Sequence, residues 1–108
     1  MTVAETILDQ LGGNKFITMT GSKNFIAEDY ALSMKLAKNK SAANHLRIYL
    51  NGLDLYEMEF SKVTFPKFNL KTGKMRNGEN KEIVKYNGVM FDQLQSLFTS
   101  VTGLDTHL

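Results

Sequence analysis

Seven cations crowd one stretch of the sequence. Lys62, Lys67, Lys71, Lys74, Arg76, Lys81 and Lys85 stand against only Glu79 and Glu82, a local balance of +5 in a chain whose net charge is +2. The remainder is therefore acidic, and such asymmetry points to a polyanionic or acidic partner. Phe65, Phe68 and Tyr86 are interleaved with the cations. Amines neutralise phosphates and rings stack on bases, so this mixture suits nucleic acid. The same pattern also describes a solvated sheet edge whose lysines discourage aggregation while the rings tuck into the core. Lys67, Lys71, Lys74, Arg76, Lys81 and Lys85, with Phe65 and Phe68, are the candidate nucleic-acid contacts. Arg47 and Tyr49, on the polar side of their own strand, would extend that surface if nothing covers it.

Other chemistries have less to work with. The chain has no cysteine, which removes disulfides, thiolate nucleophiles and cysteine-ligated metals. Its two histidines, His45 and His107, have no His or Cys at helical ligand spacing and read as ordinary imidazoles. No Gly-x-Ser-x-Gly elbow exposes a nucleophile. Glu57 and Glu59 are two apart, which on a strand sets both carboxylates on one face about 7 Å apart, a spacing for acid–base work. The plainer account is that they form the wet side of that strand. Gly12-Gly13-Asn14-Lys15 and Gly21-Ser22-Lys23 lack the spacing of a phosphate-binding loop. We expect no catalytic residue, metal or cofactor.

The elements that must position these groups follow from periodicity. Thr2 and Glu5 form a capping-box pattern. Ala4, Ile7, Leu8 and Leu11 fall on one face of a short helix from Val3 to Leu11, stopped at Gly12-Gly13. Lys15 to Met19 reads as a strand, followed by a turn and by Phe25-Ile26-Ala27. Alternation at Leu32, Met34 and Leu36, at Leu46, Ile48 and Leu50, and at Tyr56, Met58 and Phe60 predicts strands with one buried face. Asn51-Gly52 signals a tight hairpin. From Thr64 to Asn80 the pattern dissolves around Pro66, and Lys71-Thr72-Gly73-Lys74 looks like the tip of a projecting arm or hairpin. Lys81 to Tyr86 is a short last strand. Past Asn87-Gly88, the residues Met90, Leu94, Leu97, Phe98 and Val101 share a helical face ending at Gly103.

At 108 residues this is one domain. We expect an α+β fold: an antiparallel meander sheet of four or five strands, with an N-terminal and a C-terminal helix on one face. Apolar runs of a few residues are too short to span a membrane. No basic, apolar leader precedes Glu5 and Asp9, so a cytoplasmic location is expected.

Ile7-Leu8-Asp9-Gln10-Leu11-Gly12-Gly13-Asn14-Lys15-Phe16, Met19-Thr20-Gly21-Ser22-Lys23-Asn24-Phe25 and the ending from Phe98 to Leu108, with Val101-Thr102-Gly103-Leu104, resemble small uncharacterised proteins carried by bacteriophages and mobile genetic elements. The likeness runs over most of the chain. It implies a bacterial cytoplasm and an accessory role, and it assigns no site residue. Two binding functions remain open: a non-enzymatic accessory protein gripping DNA or RNA through residues 62–85, or a module for a host or phage protein, such as a host-factor inhibitor or a homodimer.

Overall fold

A computed structural model of the chain describes residues 2–64 and 67–106, with the backbone alone at Lys67 and Arg76. Phe65, Pro66 and His107 lie outside the described residues. The order is α1 (Val3–Leu11), α2 (Asn14–Thr20), β1 (Lys23–Ala27), β2 (Ala31–Lys35), β3 (His45–Leu50), β4 (Tyr56–Thr64), β5 (Lys67–Asn69), β6 (Lys74–Arg76), β7 (Glu79–Val89), a 3-10 turn at Phe91–Gln93, and α3 (Leu94–Thr102). Five strands form one antiparallel sheet in the order β1-β2-β3-β4-β7, and β5 and β6 pair separately. This is the expected α+β meander.

Register shows how alternation becomes a core. Leu32 lies opposite Ile48, Met34 opposite Leu46, Ile48 opposite Met58 and Leu46 opposite Phe60, all buried. These side chains form one apolar face, and the helices cover it with Ile7, Leu11, Phe16, Leu94 and Phe98. At the centre, Phe98 meets Phe16 edge-on at 4.9 Å between ring centroids, a geometry that aligns ring edge with ring face. The Gln95 side-chain amide donates to the Leu11 carbonyl at 2.9 Å, satisfying the open end of α1 and tying it to α3.

Several local expectations are corrected. Lys15 to Met19 is helical, within α2. Its β-branched and aromatic composition suits a strand, but Phe16 and Thr20, one helical turn apart, are the residues the core buries. Packing of Phe16 on Phe98 outweighs that preference. Asn51 and Gly52 do not make a two-residue turn. The Asn51 side chain accepts from the Leu53 and Leu55 amides, and positive φ falls on Asp54, giving a longer loop. Asn87-Gly88 does not separate strand from helix. Both sit inside β7, where Gly88 at φ +64° marks a bulge between the pairs Tyr56–Val89 and Met58–Tyr86. Met90 precedes the 3-10 turn and is exposed instead of joining the face of α3.

Candidate nucleic-acid interface

β4 runs beside β3 only as far as Ser61, which lies opposite His45. Beyond it, Lys62, Val63 and Thr64 pair with β7 alone, and β5 with β6 carries two strands onward. The stretch expected to be irregular is thus mostly a two-stranded arm. Its tip is set by short-range bonds: the Gly73 amide donates to the Asn69 carbonyl at 2.8 Å, and the Lys71 amide to Asn69 Oδ1 at 2.9 Å. Gly73 takes φ +67°, which glycine accepts without steric penalty. The molecule measures 49 × 32 × 23 Å.

Two devices aim the arm. A bulge between the pairs Phe60–Val84 and Ser61–Glu82 leaves Ile83 as the extra residue at the point of departure, where bulges bend a strand and raise its twist. On the other side, Asn44 acts as a clamp. Its Nδ2 donates to the Val63 carbonyl and its Oδ1 accepts from the Val63 amide, both at 2.8 Å. One side chain therefore completes the ladder that β3 has left. Periodicity in the sequence carries no trace of Asn44's role, because the residue lies in a polar connection and acts 19 positions away.

Charge along the arm is one-sided. Residues 62–81 contain six cations and one carboxylate. Lys62 lies directly opposite Lys81, and Lys67 directly opposite Arg76. Like charges at opposed positions of an antiparallel pair are destabilising, yet this ribbon holds two such pairs. Among the described residues, Lys62, Lys71, Lys74 and Lys81 have no carboxylate within ion-pair distance. Phe68 lies opposite Met75. These two side chains are 57% and 66% exposed, and Leu70 beside them is 87% exposed. With Lys71 and Lys74 they line an open concavity at the tip.

The remaining candidates separate from this cluster. Lys85 lies on the uncovered face of the sheet, 3.4 Å from Glu59 and 3.9 Å from Glu57. Contact with the Tyr49 side chain, and then with Glu59, raises its pKa. Arg47 binds Glu28 at 2.9 Å and sits 4.7 Å from the centre of the Tyr49 ring, and the Glu28 bond raises its pKa. The face expected to extend the basic surface is open, but Arg47 and Lys85 are matched there by Glu28, Glu57 and Glu59. The same contacts make Glu57 and Glu59 partners of an ammonium, not an acid–base pair. Tyr86 packs against the core, and Phe65 lies outside the described residues. Among the aromatic residues interleaved with the cations, Phe68 is therefore the exposed ring described on the arm.

His45 borders a shallow cavity of about 190 Å³ beside Ile26, Ser33 and Asn44. Burial first, and then the Arg47 charge, lower its pKa. Among the described residues no three metal-ligating side chains converge, and no helix is long and apolar enough to cross a membrane. No family model matches the chain, and comparison with curated proteins and with solved structures finds no match.

Proposed function

We propose that this protein binds nucleic acid through the two-stranded arm, as a non-enzymatic accessory protein. The observation that carries this reading is the pair of opposed like-charge positions, Lys62 with Lys81 and Lys67 with Arg76. A ribbon that tolerates such repulsion is poised for a ligand that supplies the missing anions, and phosphates do so with release of counterions. Lys71 and Lys74 add charge at the tip, and Phe68 offers an exposed ring. The resemblance to phage and mobile-element proteins fits such a role in a bacterial cytoplasm.

Fluorescence anisotropy with labelled oligonucleotides across a salt series tests the proposal. If each of the six arm cations meets one phosphate, log K falls against log salt with a slope of about −5 on duplex DNA. The triple variant K71E/K74E/R76E is expected to abolish binding with little change in thermal unfolding. A flat salt response, or no binding at low salt, refutes the proposal.

A second reading rests on Phe68, Leu70 and Met75, which expose apolar surface side by side on a projecting element, as protein-docking surfaces do. It makes the arm a grip for an acidic host or phage protein. Homodimerisation belongs to this reading, and light scattering on the purified chain tests it. Both outer strands of the sheet carry bulges, which blunt edge-to-edge pairing.

A further inference from the structure

We infer that the nucleic acid is duplex DNA and that the ribbon enters its major groove, an inference that rests on the reading of the arm as a nucleic-acid grip. Four observations lead there. The first is shape. Two paired strands lie about 4.8 Å apart, and with side chains they make a ribbon about 10 Å across, which the major groove of B-form DNA, about 12 Å wide, admits. The major groove of A-form RNA is too deep and narrow for such an element.

The second is the distribution of charge. Lys62 and Lys67 are five residues apart on one side of the arm, and Arg76 and Lys81 five apart on the other. Lys62 lies opposite Lys81 and Lys67 opposite Arg76, so each opposed pair sets one cationic residue on each strand. A groove has two phosphate walls and can answer both strands at once. A single strand has one backbone and answers one side.

The third is that the described residues of the arm present a single exposed ring. Single-strand binders hold successive bases on successive exposed rings. Phe68 is the exposed ring described on the arm, Tyr86 is packed on the core, and the Tyr49 ring already carries Arg47 at 4.7 Å and Lys85 at 5.9 Å. The fourth is the apolar character of the tip. Phe68 and Met75 are directly opposed and exposed, and apolar side chains in the major groove find the thymine methyl as their partner.

Anisotropy titrations with one sequence, presented as single-stranded DNA, duplex DNA and duplex RNA, test this. Duplex DNA is expected to bind at least about tenfold tighter than either alternative. Replacing thymine by uracil in the duplex is expected to weaken binding about fourfold for each methyl group that the tip had covered, the equivalent of one methyl-sized group returned to water. The variant F68S/M75S is expected to bind thymine and uracil duplexes equally and to keep the salt slope of the parent. A ligand that fills the minor groove should leave binding intact. Equal or tighter binding of single strands or of duplex RNA overturns the duplex-DNA assignment while the nucleic-acid reading stands. Displacement of the protein by the minor-groove ligand, or indifference to uracil, overturns the groove assignment. Failure to bind any of the three probes overturns both.

Discussion

Replacing Lys81 by glutamate turns the opposed pair Lys62–Lys81 from repulsive to attractive, and so separates what the arm does for folding from what it does for binding. Cross-strand charge pairs contribute about 0.2–1 kcal/mol in either direction. Both lysines are solvent-exposed, so the low end applies, and exchanging repulsion for attraction counts it twice, to about 0.5 kcal/mol. In a domain of this length that raises Tm by about 2–3 °C. The gain should vanish at about 1 M salt, where charges are screened beyond about 3 Å. For binding the signs reverse. One phosphate is left without its ammonium partner and faces a carboxylate instead, so affinity falls and the salt slope shrinks by about one to two. Differential scanning fluorimetry at low and high salt, beside anisotropy with labelled duplex DNA, reads both quantities. A variant that is more stable yet binds more weakly is the signature of a repulsion retained for a ligand. A Tm that does not rise at low salt, with affinity unchanged, refutes the reasoning.

The remaining predictions concern the parts that hold the arm in place. Asn44→Ala removes both bonds to Val63; it should destabilise the protein by about 1–3 kcal/mol and speed amide exchange at Val63, with weaker DNA binding although no charge has changed. His45 has its pKa lowered chiefly by burial. The unfolded chain therefore takes up the proton first, and stability present above about pH 6.5 is lost as the pH falls through the folded value. Urea titrations between about pH 7 and pH 5 should show that decline, and His45→Gln should flatten it. Phe98→Ala opens the centre of the core beside Phe16 and Phe60 and should cost about 3–5 kcal/mol, read as a shift of the urea midpoint with duplex affinity unchanged under conditions where the variant stays folded.

Elements whose burial is local can be read from the chain alone. The apolar stripe of α1, the alternation of β2, β3 and β4, and the stripe of α3 are legible because periods of about 3.6 and 2 follow from backbone geometry alone. The concentration of cations is likewise a property of the chain, as is the turn at Gly73, where glycine relieves a local steric constraint. The rest depends on packing between distant segments. α2 is a helix because Phe16 reaches Phe98, a contact that local preference cannot foresee. The arm is a ribbon because each of its strands is completed by the other, so exposed residues such as Phe68 and Met75 carry no alternating signal of burial. Spacing along the chain groups Lys85 with the arm cations, yet the sheet register brings it to Glu57 and Glu59. Pairing of Lys62 with Lys81, and of Lys67 with Arg76, likewise depends on register across the strands. Charge is counted along the chain, but it acts through space, and only folding sets which charges are neighbours.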